Sequence, residues 1–332
     1  MPLTEQQAPL LVERHFLAMG TAILIAVDAG DASRCAAAER AIAEVCKLLF
    51  EFGREGWAWG SGALARFNRD LEAGNAARVP ELLRPLFAQA WSIRQASGGL
   101  FEPRIGALVR LWGFDDPNHI RSAPPPQQQI AASLSAVYVA PPYDGGEVHA
   151  AAPGVMWDLG GIGKGYIVDI ALDWLRQCGF TDAIINAGGN VATRGRRGDR
   201  PWHVGIRDPR AATELPRLLA SLDVGDESVI THGDDQRYFE HQGRRYAHIL
   251  HPHSGEPARG LRSLTVVHRD GTLADGGGAA LFVAGPRGWP QLARKLGIGQ
   301  VLAVDEDGVV SATARLAARL RPVSGTQVTI VQ

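Results

Sequence analysis

Between Asp158 and Asp169 the chain reads DLGGIGKGYIVD: four glycines and a lysine fall within eight residues and run straight into an apolar pattern of helical spacing. No other stretch limits the fold as much. Glycines ahead of a helix let backbone N–H groups approach a ligand without a Cβ in the way, and the opening turn leaves those groups unsatisfied. Two common phosphate loops are excluded by spacing. In a Walker A loop, Asp158 would stand where the first glycine belongs and Gly165 where Ser or Thr belongs. The dinucleotide fingerprint fails because Gly161, Gly163 and Gly165 alternate.

With 332 residues, 45% hydrophobic and 21% charged, the chain can bury a sizeable core without a metal or disulfide staple. A net charge of −1 argues against nucleic acid or an anionic membrane as the main partner. The basic run RGRRGDR at 194–200 reads as a solvated loop or hairpin. Cys35, Cys46 and Cys178 lack C-x-x-C spacing and are odd in number, so neither a disulfide framework nor a zinc site is expected. No signal peptide opens the sequence and no apolar run is long enough to span a membrane. As written, the chain is expected to be cytoplasmic; with a removed leader it would be exported or membrane-associated.

Hydrophobic periodicity predicts a strand over 21–29, a helix over 32–52 and a second helix with Pro80 in its first turn that stops at Gly98-Gly99. SAVYVA and GVMWDL read as short strands. YIVDIALDWLRQCG reads as a helix ended by Gly179. Glycine-broken strands follow through SLTVVHRD, then a last helix GWPQLARKLG and a hairpin turning at Asp307-Gly308. Without a regular βα repeat, the fold class is α+β, rather than a Rossmann fold or a TIM barrel. The proline-rich stretch near 124 is the best seam, but nothing there requires two domains; we expect an extension at 1–15 and a single domain over 16–325.

Several stations carry chemistry. Glycine pairs at 98–99, 160–161 and 188–189 either make turns or bring backbone N–H groups to an anion, and Lys164 adds a compact positive charge suited to phosphate. His248, His251 and His253 cluster without a carboxylate or cysteine to complete a metal set, so one histidine acting as proton acceptor is the better expectation. Asp275, ahead of three glycines and an apolar run, reads as a helix N-cap or as an oxygen ligand for Mg²⁺.

Taken in order, MGT (19–21), SGALARFN (61–68), GGLFEPRIGALVRLWGF (98–114), DLGGIGKGYIVD, INAGGNV, WHVGIRDP, HILHPHSGEP and LADGGGAALFVAG resemble the FAD:protein FMN transferase family, often called ApbE. The resemblance spans roughly 16 to 320. It implies an Mg²⁺-dependent enzyme that splits FAD at its pyrophosphate, moves FMN to a Ser or Thr hydroxyl of an acceptor protein and releases AMP. It further implies that His248 accepts the hydroxyl proton and that the Gly161 carbonyl and Asp275 hold Mg²⁺. FAD would be contacted by Met19, Leu100, Phe101, Glu102, Asp158, Lys164 and Ile249. An FAD pyrophosphatase and a flavin-binding protein with lost catalysis are the alternatives.

The departures are specific. Ala279 stands where the family has a threonine, His251 and Glu102 where it has aspartate, and His232 where serine is usual. The region 53–61 lacks the family's aromatic pattern, leaving Trp57 and Trp59 as candidates for a flavin contact.

Overall fold

In the computed structural model, the described residues are 10–116, 121–211 and 217–331. Residues 1–9 of the expected N-terminal extension lie outside them. A nine-stranded sheet runs in the order 11–18, 21–28, 183–187, 190–194, 228–233, 261–268, 301–305, 310–313, 328–331. Each neighbouring pair is antiparallel except the last, which is parallel.

Side-chain alternation along these strands builds two cores, one on each face. Leu264 and Val266, with Val301 and Ala303, join a large core under the helices. Val267, Leu302 and Val304 point the other way, onto Trp202, Val204, Ile206 and Leu222 of a smaller sheet. A third cluster stacks Trp112, Phe239 and Tyr246, and the Trp112 indole N–H donates to the Gly255 carbonyl at 2.7 Å. The mixed α+β expectation holds.

Two helices carry most of the site. The first, Gly163–Gln177, begins at the glycine loop and ends before Gly179, whose φ of 86° suits a residue without a Cβ. The second, Gly271–Leu296, packs against the first and against the strands Ser228–Gly233 and Leu261–His268. Its N-cap is Asp270, whose carboxylate accepts from the Leu273 N–H at 2.8 Å. Asp275 therefore lies one turn inside the helix, and the N-cap expectation for it is corrected. GWPQLARKLG is the continuation of this helix beyond a break at Gly285, where φ is 70° and Pro286 follows.

Two further expectations change. SAVYVA belongs to the helix Gln127–Val139, which buries Ile130 and Val137 seven residues apart. A run of small and β-branched residues imitates strand alternation when only one helical stripe is apolar. GVMWDL is not a regular strand: Met156 makes one isolated bridge to Ile105. Its backbone is held by Asn68, whose amide donates to the Trp157 carbonyl at 2.9 Å and accepts from the Trp157 N–H at 2.8 Å. The proline in the first turn of Arg84–Ala96 is Pro85; Pro80 precedes a short 3₁₀ turn, Glu81–Leu83.

Candidate functional site

Asn68 has a consequence for the glycine loop. By fixing Trp157 it sets the entry of the chain to Asp158, whose own N–H donates to the Pro103 carbonyl at 2.7 Å. Asp158 Oδ1 then accepts from the Gly160 N–H at 2.8 Å, folding the loop back before the helix starts. The helix has no side-chain cap. Gly165 is required by packing: a Cβ there would sit 2.1 Å from the Gly271 carbonyl oxygen and 2.8 Å from Asp275 Cβ. The two helices touch backbone to backbone at this point.

That contact delivers Asp275 to the loop. Its Oδ2 accepts from the Gly165 N–H at 2.9 Å and its Oδ1 from the Asn190 amide at 3.2 Å. In an uninterrupted helix the Gly165 N–H would donate to the Gly161 carbonyl. Here it does not, and among the described residues no backbone N–H bonds that carbonyl. The same loop places Gly161 against Phe101, with Ala279 Cβ 4.0 Å from where a Gly161 Cβ would lie.

Charges converge on this place. Burial pushes the Asp158 carboxyl up, while Arg237 and then Lys164 oppose the shift. Burial first, and then the charges of the same two cations, pull the His248 imidazole down to about 4. His248 is therefore a neutral base at neutral pH, and its Nδ1 is buried without a hydrogen-bond partner. The Lys164 side chain makes no hydrogen bond or ion pair among the described residues. His232 stands beside both Asp275 and Lys164 in this electrostatic neighbourhood.

Met19 enters from the sheet. Met19 and Gly20 form the two-residue turn between the first two strands, with φ of 51° and 69°. This is the sign pattern of a type I′ turn, which rarely has Met at its first position and costs about 1–3 kcal/mol at a non-glycine. A Cβ on Gly20 would lie 3.4 Å from the Arg237 guanidinium, so the turn borders that cation. The turn at Gly188-Gly189 lies alongside, against Thr21.

Not every expected residue faces this centre with its side chain. Glu102 is buried between Arg94 and Arg104, and both its oxygens hold guanidinium groups. Leu100 and Ile249 pack against the main core, and the Ile249 carbonyl accepts from the Ala258 N–H at 2.8 Å. His251 and His253 meet edge to face with ring centroids 5.5 Å apart, His253 lying beside Gly99. Among the described residues no group of three or more His, Cys, Asp or Glu comes together as a metal cluster.

The sequence profile of the ApbE family matches residues 19–302. The chain belongs to the ApbE family. It is 36% identical over 275 residues to a Rhodobacter capsulatus protein named FAD:protein FMN transferase, covering 82% of this chain and 52% of that protein. A Treponema pallidum protein of the same name is 34% identical, covering 78% of this chain and 75% of that one. The chain thus spans about half the length of the first relative and three quarters of the second. Among solved structures, an ApbE protein from Thermotoga maritima superposes with a TM-score of 0.83 at 26% identity, covering 94% of this chain and 100% of that one. The apo flavinyl transferase ApbE of Pseudomonas stutzeri gives 0.78 at 27% identity, covering 94% and 97%.

Sequence reasoning missed Arg237, Asn68 and Asn190 as parts of this ApbE-type site. Arg237 sits in DDQRYFE, where nothing but the folded hairpin signals its direction. Asn68 was visible only as the last residue of a motif.

Proposed function

We propose that this protein transfers FMN from FAD to a Ser or Thr hydroxyl of an acceptor protein, releasing AMP, and that one domain over 16–325 does so. The observation that supports it most directly is the meeting of a neutral imidazole, His248, with two cations, Lys164 and Arg237, at a glycine loop backed by Asp275. A pyrophosphate brings negative charge that two cations and open N–H groups stabilise. His248 accepts the proton of the incoming hydroxyl as its oxygen bonds to the FMN phosphorus, and the bridging bond to AMP breaks. Met19, Leu100, Phe101, Glu102, Asp158 and Ile249 line the FAD side in this reading, with Glu102 acting through its backbone.

The residues also fit Mg²⁺. Asp275 keeps lone pairs beyond its two hydrogen bonds, and the Gly161 carbonyl is free of backbone donors. One carboxylate and one carbonyl make the sparse oxygen set that Mg²⁺ takes when substrate phosphates and water complete it. Asp275 and Gly161 would hold the ion, which neutralises charge on the phosphate oxygens when bound. Ala279 offers only a methyl group there, and this favours weakened catalysis as the second reading.

The test is incubation with FAD and Mg²⁺, with and without a flavin-acceptor domain, following AMP by chromatography and acceptor mass. AMP only with acceptor, together with an FMN mass increase, is expected. AMP without acceptor would make it an FAD pyrophosphatase, and intact bound FAD in both would make it a flavin-binding protein. Asp275→Ala is expected to remove the metal dependence and most of the rate.

No span is assigned: among the described residues no helix is long and apolar enough to cross a membrane.

A further inference from the structure

His232 has no role in the reaction described above, yet it is placed as closely as any residue that does. It lies on the strand Ser228–Gly233, which packs against the helix Gly271–Leu296. Its register puts its side chain on the same face as Ile230, toward that helix. Its Nε2 lies only 2.6 Å from where a Cβ on Gly278 would be, so the ring is seated on bare helix backbone. Gly278 is three residues after Asp275 and one before Ala279, whose Cβ lies 4.0 Å from where a Gly161 Cβ would be. The carbonyls of Ala274 and Asp275 are near enough to act on the ring, and the Asp275 carboxylate attracts it. Even so, Nε2 is buried and makes no well-formed hydrogen bond, the two carbonyls offering at most poorly aligned acceptors. A buried imidazole nitrogen without a partner requires an explanation.

We infer that His232 supplies a nitrogen ligand to the cation held by Asp275 and the Gly161 carbonyl, so that the site prefers a borderline divalent ion such as Mn²⁺ over Mg²⁺. The inference rests on the cation placement proposed above. Three observations carry it. Nε2 is unpartnered, the ring adjoins the turn that bears the buried carboxylate, and the neighbouring Ala279 contributes a methyl group in place of a donor. An imidazole with oxygen donors suits Mn²⁺, Co²⁺ or Zn²⁺, whereas Mg²⁺ favours an all-oxygen shell. Gly278 is then explained as well, because any side chain there would collide with the ring.

The test uses full-length protein labelled with ¹⁵N-histidine, loaded with Mn²⁺ with and without FAD. Electron spin-echo spectroscopy reads directly bound nitrogen, and a titration reads the Mn²⁺ affinity. The wild type is expected to show ¹⁵N coupling, retained in His248→Ala and lost in His232→Ser and in His232→Gln. Those two variants are expected to bind Mn²⁺ about tenfold more weakly and to discriminate less against Mg²⁺. The glutamine variant keeps much of the side-chain volume, so loss in both excludes a packing failure. Bound Mn²⁺ without ¹⁵N coupling, or coupling that survives in His232→Gln, overturns the role of His232 and leaves Asp275 as a ligand. No bound ion at all overturns both the inference and the cation placement, while AMP release still reports the transferase separately.

Discussion

With His248 as the proposed base, its ionisation sets the pH behaviour expected of the site. Its ring is neutral well below the usual histidine range because burial and the charges of Arg237 and Lys164 oppose protonation. In the free enzyme the acid limb of kcat/KM for FAD is therefore expected near pH 4, with a plateau above it. Bound pyrophosphate offsets the two cations, so the limb in kcat should move upward. A kcat/KM limb near 6.5 would show that the ring is ordinary and solvated. The linkage to stability has a definite sign. The folded pKa lies below the unfolded value, so this contribution is full above about 6.5 and is lost as pH falls toward 4. Replacing His248 by Ala should cut transfer by about 10²–10⁴-fold while FAD still binds, as followed by flavin fluorescence. Unchanged turnover would remove His248 as the base.

At the scale of elements, the crossing of Gly163–Gln177 on Gly271–Leu296 is what brings loop and carboxylate together. Gly165→Ala tests it. The added Cβ meets backbone of the other helix rather than a flexible side chain, so the helices must separate. We expect a loss of about 1–3 kcal/mol in thermal unfolding and weaker cation binding, because Asp275 moves with its helix. Equal stability and equal cation affinity would show that the contact is slack. This level was only partly legible in the sequence. The helix 163–177, its glycine stop and the hairpin at Asp307-Gly308 followed from local periodicity and turn chemistry. The cap did not: Asp270 and Asp275 are both aspartates near the start of one apolar run, and only the hydrogen bond to Leu273 separates their roles. SAVYVA failed for a related reason, since its burial is decided by what packs on the helix rather than by its own alternation.

At the scale of the molecule, the site draws on segments far apart in sequence: the Met19-Gly20 turn, the Asp158–Gly165 loop, the hairpin bearing Arg237 and His248, and the helix bearing Asp275. The motif order exposed most of them. Arg237 stayed hidden, and His232 showed only as a departure from the family pattern, because their meaning comes from which strand neighbours which helix. The long sheet ties these segments into one unit, running from Leu11 to Val331 and sharing strands between its two cores. A ligand held by all of them should stabilise the whole fold and not just a loop. At FAD concentrations about 100 times Kd the gain is about 2.7 kcal/mol. The expected melt is a single transition that FAD moves upward, with the shift reduced by salt if, as proposed, Lys164 and Arg237 meet the phosphates through charge. Lys164→Met should lower the shift at a given FAD concentration while leaving the melt of the free protein close to wild type, since the Lys164 side chain makes no ion pair or hydrogen bond among the described residues. Calorimetry with and without FAD reads both. Two transitions, only one of which responds to FAD, would show that the sheet does not unfold as one unit and that the site belongs to a smaller domain than 16–325.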